Sequence, residues 1–186
     1  MNESAAHFPE PKLSQFLFAD TRASWVWLLL RLYVGYTWLM AGWEKLGSQA
    51  WVGSAAGTAL QGFLGGALQK AAGAHPDVSA WYASFLQNVA IPHAGLFSYL
   101  VTYGELAVGL GLILGAFTGI AAFFGAFLNL NFLFAGAVSI NPLLFLIELF
   151  LMLAWRNAGW IGFDRKLLPW LGVPWQPGVA FTFRRT

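Results

Sequence analysis

Between Leu96 and Trp155 the chain is nearly unbroken apolar sequence whose charged side chains are Glu105 and Glu148 alone. Such a run outlasts any single core helix and shows no polar alternation. In lipid, backbone N–H and C=O groups must be paired within the protein, which leaves helices and closed barrels. Continuous apolar stretches of ~20 residues select helices. The run breaks at Phe117-Thr118-Gly119 and at Ser139-Ile140-Asn141-Pro142, the latter reading as a turn and helix start. Spans are therefore expected over residues 96–116, 119–138 and 142–158. An earlier stretch, SWVWLLLRLYVGYTWLMAGW over residues 24–43, supplies a fourth. Trp25, Trp27, Trp43 and Trp51 sit near its ends, where interfacial aromatic residues belong. Charged residues make up 10% of the chain, against roughly a quarter in soluble domains. The expected fold is all-α: an integral membrane four-helix bundle over residues 24–158.

The flanks set the expected topology. Residues 1–23 are polar and mixed in charge, with Pro9 and Pro11 discouraging an early helix. Leu13–Phe18 reads equally as a surface helix or a loose tail. Residues 46–95 are too polar and Gly-rich to span. Within them, Ala55–Ala72 and Val78–Val89 each place their apolar residues on one side, and GAHP at 73–76 separates them. A structureless loop of this length is unusual, so the segment is expected to fold over one end of the spans. The tail, residues 159–186, carries Asp164, Arg165 and Lys166 and ends in Arg184-Arg185. Lysine and arginine concentrate in the two terminal flanks, while the long loop holds Lys45 and Lys70. That bias predicts a multi-pass protein of the plasma (inner) membrane with both termini cytoplasmic and the long loop periplasmic. The first span has membrane length and follows a polar stretch, so it reads as a retained helix rather than a cleaved signal. No internal repeat or pair of broken helices suggests a transporter.

Several chemistries are excluded by residue type. The chain has no cysteine, so thiolate ligation and cysteine nucleophiles are absent. His7, His75 and His93 lie outside the spans, which disfavours axial ligation of a membrane haem. A net charge of +2 gives no basis for binding nucleic acid. No covalently bound cofactor and no metal site is expected.

What remains is a set of charged and polar residues at membrane depth. Arg31, Gly35, Trp38, Gly42 and Lys45 recur at the helical period on one face of the first span. An arginine in a span costs about 2.5–3.5 kcal/mol on insertion scales, so it faces a partner or a wet cavity. Glu105 and Glu148 are its candidate partners. With both termini inside and a ~1.5 Å rise, Glu105 lies ~13 Å and Glu148 ~9 Å below the outer surface, and Arg31 ~10 Å from the inner one. Trp38 is the first-span residue nearest the level of the two acids. Each glutamate is a candidate proton carrier; for Glu105 the structural alternative is a pair with Arg31 or a hydrogen bond to Tyr103, Asn129 or Asn131. Arg31 either binds an anion or ties helices together, and Lys45 either joins it or extends to the surface. Asn129 and Asn131 are two residues apart, so at most one points into the bundle core.

These residues carry a resemblance. The pattern R-x3-G-x6-G-x2-K, Arg31 to Lys45, resembles the opening helix of the DoxX family. Gly104-Glu105, Gly109, Leu112, Leu114-Gly115, Thr118 and Ala121-Ala122 continue the likeness, and Asn141-Pro142, Glu148, Gly159 and Asp164-Arg165 complete it over about residues 25–170. Gly119 departs from it, standing where many relatives carry arginine. The long first loop makes the chain similar to the DoxD-type branch. That resemblance implies a membrane subunit of thiosulfate:quinone oxidoreductase, working with a DoxA-type second subunit and with quinone as electron acceptor. The resulting expectation places Glu105, Glu148 and Arg31 in catalysis. Trp38, Trp43, Lys45, Tyr103 and Asn131 would contact substrate or quinone. The alternative is a non-catalytic scaffold subunit of a larger respiratory or photosynthetic membrane complex.

Overall fold

The computed structural model of the protein describes residues 9–173. Expectations for residues 1–8 and for the tail beyond 173, Arg184-Arg185 included, lie outside the described residues. Within them the chain is helical and contains no strand. The helices are α1 (Lys12–Ala19), α2 (Ser24–Leu46), α3 (Thr58–Gln69), α4 (Ala80–Phe85), α5 (Ala94–Leu114), α6 (Thr118–Phe134), α7 (Asn141–Leu153) and α8 (Asp164–Trp170). α5 is long and apolar enough to cross a membrane by length and composition, whereas α6 and α7 are shorter apolar helices. α2 is longer than α5 but includes Arg31, Glu44 and Lys45.

Glycines fix the register between the long helices. Gly35 lies against Leu112 and Ile113, Leu39 against Gly109, and Gly42 against Leu106. Moving up α2 therefore means moving down α5, an antiparallel seam. A methyl group added at Gly109 would sit 2.6 Å from the Leu39 backbone nitrogen, and one at Gly42 2.9 Å from that of Leu106. The backbones approach this closely because at each point one of the two helices carries no side chain. The same device continues around the group. Gly111 meets Ala121 between α5 and α6, and Gly119 meets Trp155 beyond the end of α7. No arginine could occupy position 119 without displacing that tryptophan. Trp38 of α2 reaches Glu148 of α7, joining the first and last of these helices.

Two helices end earlier than the apolar pattern suggests. α6 stops at Phe134 rather than near 138, because Gly136 turns left-handed at φ 71° and Lys70 Nζ donates to its carbonyl at 2.7 Å. α7 stops at Leu153 rather than near 158. There Asn157 Nδ2 donates to the carbonyls of Leu17 and Asp20 at 2.9 and 2.7 Å, drawing the chain toward the N-terminal segment. At ~1.5 Å per residue α2 and α5 measure about 35 and 32 Å, while α6 and α7 measure about 26 and 20 Å. The connection between α2 and α5 fills that step. It folds as α3, α4 and a π-helical turn over Leu86–Ala90. Leu60, Leu64, Val78, Tyr82 and Leu86 form their own core with Ala135 at the end of α6.

Gly109→Leu is expected to force α2 and α5 apart and lower stability by about 1–3 kcal/mol or more. Thermal unfolding of the detergent-solubilised protein reads this directly. Gly62→Ala is the control: a methyl there meets open space and should leave the midpoint unchanged or slightly raised.

Candidate functional site

The antiparallel α2–α5 seam decides where each charge goes. Beyond Gly42 and Leu106 the next facing pair is Lys45 and Glu105, and Lys45 Nζ meets Glu105 Oε2 at 2.7 Å. Glu105 is buried and the lysine side chain nearly so. The ammonium also lies 5.1 Å above the Trp51 ring, so its charge is met from two sides.

Arg31 meets neither glutamate. It is fourteen residues before Lys45, which places it about 21 Å lower along α2 at the ~1.5 Å rise. Its guanidinium instead ties α2 to the opposite end of the molecule. Nη2 donates to the Ile161 carbonyl at 2.7 Å, and Nη1 lies against Gly115 and Gly162, where a Cβ would collide with it. Asp164 is the nearby acid. Its two oxygens accept from the backbone N–H of Phe117 at 2.7 Å and of Thr118 at 2.9 Å, capping α6. Phe117 stands at φ 50°, a left-handed conformation unfavourable by about 1–2 kcal/mol outside glycine, and this cap helps hold it there.

Glu148 occupies the centre. It is buried, and its carboxylate accepts one hydrogen bond from Trp38 Nε1 and a second, at 2.6 Å, from Asn129 Nδ2. Gly125 makes room: a side chain there would strike Glu148 Oε1. Three helices thus converge on one carboxylate, and no cation lies within ion-pair distance of it among the described residues.

Beside this centre lies an apolar cavity of about 650 Å³ between α5 and α6, roofed by α3, α4 and the π-helical turn. Gly104, Ala107 and Gly111 hollow its α5 wall, and Phe124, Phe127 and Phe132 form much of its α6 wall. Its polar groups are Tyr82 and Asn131. The Tyr82 hydroxyl donates toward the Asn131 backbone and side-chain oxygens at 3.0 and 3.1 Å. Burial pushes the Tyr82 phenol up to about 12, so it stays a donor at neutral pH. Val108 and Phe132 line the cavity and also border the Glu148 site, Val108 across Gly125 and Phe132 stacked on Trp38 at 6.3 Å.

Two expected cavity residues lie elsewhere. Trp43 is 64% exposed and Tyr103 51%, the latter stacked on Tyr99. Each is one residue from a glycine that faces inward, Gly42 and Gly104, and one helical step of about 100° turns it outward. Asn129 and Asn131 split as their spacing demands: Asn129 enters the core and Asn131 turns to the cavity. Sequence reasoning passed over three partners. Lys45 as the mate of Glu105 follows from the glycine register of α2 against α5, which only the packed helices set. By sequence Asn129 is a candidate partner of Glu105 rather than of Glu148, and its place four residues after Gly125 is the helical spacing that points to the Glu148 site. Asp164 had no local signal, since its contacts are more than forty residues away.

Among the described residues, no group of three His, Asp or Glu side chains is placed to hold a metal ion. A model of the DoxX family matches residues 26–137, from the start of α2 to just past α6. No curated protein and no solved structure matches the chain. The matched region contains Arg31, Trp38, Lys45, Glu105 and Asn129; Glu148 and Asp164 lie beyond it.

Removing one member of a buried ion pair costs about 3–5 kcal/mol, whereas replacing both by apolar residues is often neutral. Lys45→Met alone should therefore lose most of the folded protein in a thermal-stability assay. Lys45→Met combined with Glu105→Leu should recover most of it. If the double variant is no better than the single one, the pair is not what stabilises this end of the seam.

Proposed function

Since the chain belongs to the DoxX family, we propose that it is the membrane subunit of a quinone-linked oxidoreductase, its electrons coming from a small sulfur compound such as thiosulfate. In this reading α2, α5, α6 and α7 cross the plasma membrane as a four-helix bundle. Both termini are cytoplasmic and the α3–α4 roof lies on the periplasmic side. The observation that carries it is the cavity between α5 and α6. Its volume is that of a typical small-molecule site, its walls are apolar, and its two polar groups lie toward the roof, next to α4. A quinone ring and the first part of an isoprenoid tail fit that description.

Quinone, when bound, takes up two electrons and two protons. The chain's own residues then divide the remaining work. The aromatic α6 wall holds the ring and excludes water, while Asn131, its oxygen held by Tyr82, has a second amide N–H to donate to a quinone oxygen at the roof. Glu148 is the proton-holding residue, because its carboxylate has neutral partners only and lies behind Val108 and Phe132. Glu105 is paired with Lys45 at 2.7 Å and keeps the seam together. With no cysteine in the chain, the sulfur chemistry belongs to a DoxA-like second subunit.

Two observations favour the scaffold alternative: Glu105 has a cationic partner within the chain, and α2 turns Trp25, Tyr33, Tyr36 and Trp43 outward. Such a surface suits helix–helix contact in a larger complex, and the two readings separate experimentally.

The test fills the cavity. A Cβ at Gly104 finds its nearest neighbour, Leu128, at 3.6 Å, so Gly104→Phe should fold and project its ring into the space. Quinone co-extracted with the purified protein should fall severalfold. Equal retention would remove quinone from this cavity. Glu148→Gln should keep the quinone but slow its reduction by about 10²-fold or more in the active complex. Loss of assembly with unchanged turnover per assembled complex would instead support the scaffold.

A further inference from the structure

At the opposite end of the same groove, α8 presents a second surface. Phe163, Lys166, Leu167 and Trp170 recur at i, i+3, i+4 and i+7, one face of a helix, and with Ala116 they border an open hollow of about 450 Å³. Asp164 fixes how that face points. It is turned inward onto the backbone of Phe117 and Thr118, so α8 cannot roll its apolar strip into the core. Phe163 is 59% exposed and Trp170 51%, an arrangement that in water would leave two large aromatic side chains uncovered.

The geometry points to a binding site for an anionic phospholipid, with its headgroup phosphate on Lys166 and one acyl chain laid along the α5–α6 groove. Three observations favour that occupant. Lys166 has no ion pair among the described residues, and the acid beside it in sequence, Asp164, faces away. Arg165 adds a second positive charge, its guanidinium 5.0 Å above the Trp160 ring. Ala116 borders both this hollow and the large cavity, where exposed Phe117 and Ile120 continue the apolar floor. A charged head at one end of an apolar track is the chemistry of a lipid rather than of a soluble anion. Tryptophan and lysine at such a boundary match the depth of the headgroup layer. The site depends on the bundle lying in a membrane but not on what fills the roofed end of the cavity.

The experiment is native mass spectrometry of the full chain in mild detergent, titrated with phosphatidylglycerol or with phosphatidylcholine of identical acyl chains. One phosphatidylglycerol should be retained per protein in clear preference to phosphatidylcholine. Lys166→Gln should lower that occupancy about fivefold, the effect of one basic residue at an anionic surface, and Lys166→Arg should restore it. Glycerol phosphate, which has the head without the chains, should not compete. Equal retention of the two lipids, no effect of Lys166→Gln, or full competition by glycerol phosphate would each overturn the site. Lys166 is exposed and makes no internal contact that folding needs, and the quinone content of Gly104→Phe is read independently of this titration.

Discussion

A carboxylate withdrawn from water inside an apolar bundle must be met by donors, and much of this molecule is arranged around meeting three of them. Glu105 receives an ammonium, Glu148 an indole and an amide, and Asp164 two backbone N–H groups at the start of α6. Each solution draws on a different element, so the three carboxylates also fasten helices to one another. Glu105 locks α2 to α5, Glu148 joins α2, α6 and α7, and Asp164 ties the segment after α7 to the α5–α6 turn. An unmet buried charge is severely unfavourable, which makes these contacts specific in a way that apolar packing alone is not.

Close backbone approach is what allows the donors to arrive. The α2–α5 seam runs on Gly35, Gly42 and Gly109, and without them Lys45 could not reach Glu105 at hydrogen-bond distance. Gly125 plays the same part for Glu148, and Gly115 with Gly162 for Arg31. Small residues on α5 serve two neighbours at once. Gly109 faces α2, while Gly104 and Gly111 face the cavity and α6, so a single helix forms both the tightest seam and the largest hollow.

The roof follows from a mismatch in length. α6 and α7 are shorter than α2 and α5, and the difference would expose the upper ends of α5 and α6. α3, α4 and the π-helical turn cover them with their own small core, and Tyr82 and Lys70 fasten that core to α6. A π-turn displaces the backbone at the point where the cavity needs a wall, and Leu86 and Ala90 of that turn line it.

Much of this could be read from the chain alone. The apolar runs, the breaks at Phe117 and Asn141, and the single-face stripe from Arg31 to Lys45 identify the helices and which sides pack, because helical periodicity is a local property. Helical rise likewise put Trp38 near the level of the glutamates, which holds for Glu148, whereas Glu105 lies opposite Lys45. The early ends of α6 and α7 were not legible, since Lys70, Leu17 and Asp20 act there from distant parts of the chain. Nor was the choice of partners. Periodicity ranks residues around one helix but leaves open how far its neighbour slides, and a slide of one turn exchanges every cross-helix pair. Only the packed structure sets that slide, through the glycine contacts of α2 with α5. It is what gives Glu105 to Lys45, sends Arg31 to the Ile161 carbonyl, and leaves Glu148 with neutral donors beside an apolar cavity.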